Sequence, residues 1–305
     1  MPSVNFGSFE GIVVPLFSPL DEHERVIERD LRSLVRHLLG KGVAGFLAPS
    51  GTGEFFSLSA EERRRSVAIV ADEVRGRVPV IAIAGACSTR ESLGHIRAAR
   101  AAGADAVMAT PPYYAPVGQP GLATFFRTMA EEGGLPLWMY HQPGETKLTI
   151  APETVVELAE IPGIVGIKVS AGPDLLYYHR VVRLMRGRPA FRVLMGEDFN
   201  CLGAFALGGH GAVATLANLL PDEFVGLWRA VRAGDLATAR RLQDRIMDAQ
   251  ELFVFVRTGC MQHACKAVLR RRGLFSTDRC TSPLEPLEES ERAALETRAA
   301  ELGFC

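Results

Sequence analysis

Short apolar runs alternate with amphipathic stretches of helical length along most of the 305-residue chain. No other feature restricts the fold as much. The candidate strands are 11–16, 45–50, 78–85, 106–111, 135–141, 164–170, 191–196 and 211–215. They are rich in Val, Ile, Leu and Ala with little polar alternation, as parallel strands buried on both faces require. Eight strand-then-helix units in unbroken rhythm predict an α/β fold, a (β/α)8 TIM barrel. An open doubly wound sheet is the alternative, but no Gly-x-Gly-x-x-Gly follows the first run.

Helix boundaries are marked locally. Ser59-Ala-Glu-Glu62 and Ser88-Thr-Arg-Glu91 fit the capping box. Pro152, Pro173 and Pro221 are placed to open helices, and Gly40, Gly103, Gly133 and Gly187 to close them in a left-handed cap. Beyond the eighth barrel helix, about 223–233, three more helices are predicted near 236–255, 259–272 and 287–302. The expected organisation is a barrel domain over 1–233 and a C-terminal three-helix extension over 234–305.

Composition excludes several roles. The balance of 34 basic against 35 acidic residues gives no electrostatic footprint for nucleic acid or anionic lipid. No apolar run reaches the roughly 18 residues of a membrane helix. The first residues lack a basic segment followed by an apolar one, so a cytoplasmic chain is expected. The 6 cysteines are scattered, which does not suggest a disulfide scaffold. Cys260-Met-Gln-His263-Ala-Cys265 is the one cluster that invites a zinc reading, but such sites need a second ligand pair, and no metal is expected.

Lysine occurs only at Lys41, Lys147, Lys168 and Lys266, so chemistry that needs an amine nucleophile has few candidates. Lys168 is flanked by Ile164, Val165, Ile167 and Val169 on a strand whose end faces the mouth of the barrel, where active sites of this fold are built. Desolvation there disfavours an ammonium and leaves a free amine, as Schiff-base chemistry requires. Pairing with Glu197 or Asp198 is the structural alternative. Tyr140 ends the preceding strand and can face Lys168 across one strand spacing of roughly 5 Å, either as an acid/base or as a core aromatic. The Ser50-Gly51-Thr52-Gly53 turn offers amides and a hydroxyl to an anion.

Taken in order, Gly51-Thr-Gly-Glu54, Pro111-Pro-Tyr-Tyr114, Tyr140 with Pro143, Gly166-Ile-Lys168 and Gly208-Gly-His-Gly211 resemble the dihydrodipicolinate synthase/N-acetylneuraminate lyase superfamily of Schiff-base aldolases. The resemblance covers nearly the whole chain. It implies that a 2-oxo acid such as pyruvate condenses with Lys168, and that Gly51 and Thr52 grip its carboxylate. It further implies that Tyr140 moves protons and that no cofactor is used. Gly196 and Val213 are further substrate contacts implied, with an aldehyde as second substrate. Strand alternation turns Ser170 the same way as Lys168, as a contact for a substrate hydroxyl, and turns His141 the other way. Asp198 or Glu197 is expected to bind distal hydroxyls, the alternative being a structural role. Tyr114 matches a tyrosine that synthases insert into a neighbouring subunit, so a homotetramer or dimer is expected.

Two departures shape the expected activity. Gly51 stands where synthases usually carry the first of two hydroxyl residues, which removes the middle of a proton relay. Glu145 lies where an arginine would bind an aldehyde's carboxylate, and it would repel that group. The expected function is therefore a 2-oxo acid lyase other than the lysine-pathway synthase. The run from Gly51 to Leu58 is closer to sugar-acid dehydratases acting on 5-dehydro-4-deoxyglucarate, which is the alternative. A non-catalytic barrel is the third reading.

Overall fold

A computed structural model describes residues 4–305. Eight parallel strands close into a barrel in sequence order. They are β1 (Gly11–Pro15), β2 (Gly45–Leu47), β3 (Val80–Ile83), β4 (Ala106–Ala109), β5 (Leu137–His141), β6 (Ile164–Val169), β7 (Arg192–Met195) and β8 (Gly211–Val213). β8 returns to pair with β1. Most strands are shorter at their ends than the apolar runs suggest. The residues released there include Ser50, Thr110, Ser170, Gly196 and Thr215, which leave the ladder to line the mouth of the barrel.

Two apolar layers form because strand side chains alternate in direction. Val13, Leu47, Ile81, Met108, Trp138, Leu194 and Val213 fill the interior. Phe6 and Phe9 meet Trp138 edge-on, with ring centroids 6.1 and 5.8 Å away, so the N-terminal segment joins this inner cluster. The outer faces pack under the surrounding helices, for example Glu28–Leu39, whose buried Leu31, Leu34, Val35 and Leu38 recur at helical spacing.

Several local signals are corrected. Ser59 and Ser88 do cap their helices, accepting from the N–H of Glu62 and of Glu91. The reciprocal half of the box is missing at Ser59, because the Glu62 carboxylate accepts instead from Val26 N–H at 2.7 Å. Pro152 and Pro221 open helices, whereas Pro173 lies in a turn ahead of the helix Leu176–Met185. Of the four closing glycines only Gly103 is left-handed; near Gly40 and Gly133 that conformation is taken by Gly42 and Gly134, and near Gly187 by none.

The C-terminal segment folds as the helices Leu236–Gln250, Met261–Arg271 and Glu289–Glu301, with a 3-10 turn Glu251–Phe255 after the first. The first of them packs along the last barrel helix, Pro221–Arg232. The second reaches the barrel mouth.

Candidate active site

The register of β5 against β6 sets Tyr140 opposite Lys168. Both side chains point inward, and Lys168 Nζ donates to Tyr140 Oη at 2.8 Å. Lys168 Nζ also lies 4.0 Å from the centre of the tyrosine ring. Lys168 is only 6% exposed and has no carboxylate within ion-pair distance among the described residues, so the structural alternative of a pair with Glu197 or Asp198 is not realised. The small exposed part opens into a cavity of about 470 Å³ at the C-terminal ends of the strands.

One wall of that cavity is the turn after β2. Gly53 N–H donates to Ser50 Oγ and Glu54 N–H to Gly51 O, each at 3.0 Å. The N–H groups of Gly51 and Thr52 have no partner among the described residues, so they remain available to an anion. Thr52 Oγ1 lies 3.0 Å from Thr215 Oγ1, which ties this turn to the segment after β8.

Ser170 continues the alternation of Lys168 and lines the cavity. Gly196 lines it too, for a steric reason. A Cβ at Gly196 would stand 1.9 Å from Ser170 Oγ and 2.7 Å from Lys168 Cε. Only a residue without a side chain lets the lysine pass.

Two expected contacts are corrected. Asp198 does not line the cavity; its carboxylate accepts from Thr215 N–H at 3.0 Å and Leu216 N–H at 2.8 Å. It fastens the loop after β8, and burial pushes its carboxyl up to about 7 despite those bonds. Val213 is fully buried in the inner core cluster and takes no share in the cavity's lining. Glu197 lines the cavity in Asp198's place. Tyr114 is 90% exposed and stands outside its own chain's cavity, while Tyr113 lines it.

His141 faces the other way, as alternation requires. Its ring stacks on Tyr177 at 3.9 Å and accepts from Ile150 N–H, and burial lowers it to about 4. Cys265 is buried in its helix, and among the described residues no three His, Cys, Asp or Glu side chains gather as a metal-binding group.

Sequence reasoning missed the far wall. Cys260, Met261, Gln262 and Leu284, all from the C-terminal extension, close the cavity opposite the strands. Cys260, Met261 and Gln262 stand out in the sequence only as part of a zinc-like cluster, and nothing local places them at the cavity, because the contact joins segments as far apart as Gln262 and Gly51, 211 residues away.

Residues 8–302 match the model of the dihydrodipicolinate synthetase family. The chain belongs to this family. It is accordingly a lyase. A 4-hydroxy-tetrahydrodipicolinate synthase of Maridesulfovibrio salexigens is 34% identical over 97% of this chain and 99% of its own. One from Syntrophus aciditrophicus is 36% identical over 94% and 96%. Among solved structures, the family member YagE of E. coli K12, in complex with pyruvate, superposes with a TM-score of 0.90. It is 28% identical, over 97% of this chain and 99% of its own. The synthase of Acinetobacter baumannii complexed with pyruvate gives 0.89 at 30% identity, over 97% and 100%. The barrel with its helical extension is thus a fold shared along the full length.

Proposed function

We propose that this family member forms an imine between Lys168 and a 2-oxo acid of the pyruvate type, and makes or breaks a carbon–carbon bond through the resulting enamine. The observation that carries the reading is the buried Lys168–Tyr140 hydrogen bond of 2.8 Å at the floor of an open cavity. The amine of Lys168 attacks the ketone carbon, and Tyr140 returns a proton to the departing hydroxyl as water is lost. The cationic imine then acts as electron sink while the Tyr140 phenolate left by that step takes a proton from the neighbouring carbon, and the enamine so formed adds to an aldehyde. Run backwards, the same steps cleave the bond. The free amides of Gly51 and Thr52 suit the carboxylate of the 2-oxo acid.

At the open end Glu145 and Glu197 both line the cavity, and Lys168 is the one lysine or arginine among its described lining residues. That field opposes a second carboxylate and favours an acceptor uncharged at its far end. Gln142 and Ser170 at the same end favour a hydroxylated chain, which supports a second reading in which the imine expels a hydroxyl. Tyr114, exposed beside the mouth, is free to enter the cavity of a second copy.

Borohydride reduction in the presence of pyruvate tests the reading: a stable adduct on Lys168 is expected. No adduct with pyruvate or with longer 2-oxo acids would contradict it. Product analysis separates the two outcomes, since cleavage yields two fragments and dehydration leaves one chain.

A further inference from the structure

The C-terminal extension grips the carboxylate-binding turn at both ends with one helix face. Gln262 and Lys266 are four residues apart on the helix Met261–Arg271, and so share a face. Gln262 Nε2 donates to Gly51 O at 3.3 Å. Lys266 Nζ forms an ion pair with the Glu54 carboxylate at the other end of the turn.

The pair is complete and dry. Both side chains are 0% exposed. The second Glu54 oxygen accepts from Thr281 N–H at 2.6 Å and Thr281 Oγ1 at 2.9 Å, while Lys266 Nζ also donates to Arg279 O at 2.7 Å. Glu54 itself is left-handed, with φ of 61°, a conformation that a residue with a side chain keeps only when its surroundings fix it. The turn between these anchors carries the two free amides and Thr52. None of Glu54, Lys266 and Thr281 lines the cavity, so each can act on substrate only through the turn.

We propose that Glu54 and Lys266 are positioning residues: their ion pair aims the amides of Gly51 and Thr52 at the carboxylate of the 2-oxo acid, which makes the C-terminal extension part of the active site. This rests on the imine-forming reading given above. Buried charges usually tolerate joint replacement by apolar side chains of similar volume, whereas removing one partner strands the other. A structural role is therefore preserved in the double variant Glu54→Leu/Lys266→Met and a positioning role is lost.

The test compares the full-length wild type with that double variant in thermal unfolding and in the pyruvate concentration that half-saturates borohydride trapping at Lys168. The expected result is a cooperative unfolding transition at a somewhat lower melting temperature, since Thr281 and Arg279 O lose their partners, with half-saturation raised on the order of tenfold and full trapping at saturating pyruvate, the signature of lost ground-state binding. Unchanged half-saturation in a folded double variant overturns the inference alone. Should the double variant fail to fold, Thr281→Val removes one hydroxyl from the Glu54 carboxylate. It is expected to raise half-saturation about twofold to threefold, less than the full worth of a hydrogen bond to a charged group because Glu54 keeps Lys266 and the Thr281 N–H, and no rise overturns the inference. A wild-type chain that pyruvate does not trap overturns the imine reading, and this inference with it.

Discussion

Lys168 and Tyr140 are register partners on adjacent parallel strands, and the amine donates to the phenol at 2.8 Å. A rigid ladder therefore sets their separation, and no loop has to order before the two groups can exchange a proton. The same ladder turns His141 away from the cavity and Ser170 into it.

Removing the phenol leaves the amine in place but takes away its proton carrier. Tyr140→Phe is expected to lower kcat by about 10²- to 10³-fold, the usual span of a lost general acid/base. Borohydride should still trap pyruvate on Lys168, more slowly. Steady-state kinetics that match the wild type would contradict the role.

Gly196 gives a sharper geometric test. An alanine methyl there would overlap Lys168 Cε and Ser170 Oγ. Gly196→Ala is expected to displace the amine and to lower kcat/KM by about 10²-fold or more. Overpacking should cost only about 1–3 kcal/mol of stability in a urea titration. Full activity in the variant would mean that Lys168 does not need this path.

Gly51 is the opposite case. A Cβ at this position meets nothing within 4 Å, and the residue is not left-handed. Gly51→Ser is therefore expected to fold with stability unchanged or raised by up to about 1 kcal/mol, through the reduced freedom of the unfolded chain. Exchange of the pyruvate methyl protons with deuterated solvent should run at least as fast as in the wild type. A slower exchange would show that the turn depends on a bare backbone here.

His141 sets a pH dependence. Its folded value of about 4 lies below the ordinary 6.5. Between those values the unfolded chain binds the extra proton, so stability is full above pH 6.5 and is lost as pH falls through about 4. From pH 7 to 5 the loss attributable to this one ring is about 2 kcal/mol. His141→Gln, which keeps an acceptor for Ile150 N–H, should lose that much less over the same interval in urea unfolding. Equal losses would contradict a buried neutral imidazole.

The barrel was legible because each strand is an apolar run between helix signals, and burial on both faces admits few other arrangements. Lys168 was legible for a related reason, since a lysine inside such a run must have a purpose. Alternation along β5 and β6 then assigned Tyr140 and Ser170 to the cavity and His141 to the outside. The reasoning failed where strand geometry stops. Asp198 follows β7 through a 3-10 turn, Asp198–Asn200, so alternation no longer decides where its carboxylate points. Val213 keeps strand geometry but lies too deep to reach the cavity. The wall formed by Cys260, Met261 and Gln262 depends on how a distant helix docks, which no local pattern encodes.

The central claim is that Lys168 carries the substrate while the turn around Thr52 holds its carboxylate. A crystal soaked with pyruvate measures both at once. The account predicts continuous density from Lys168 Nζ to the ketone carbon, with the carboxylate oxygens against the Gly51 and Thr52 amides. Pyruvate bound elsewhere, or a carboxylate facing Glu145 and Glu197 while Lys168 stays free, would contradict it.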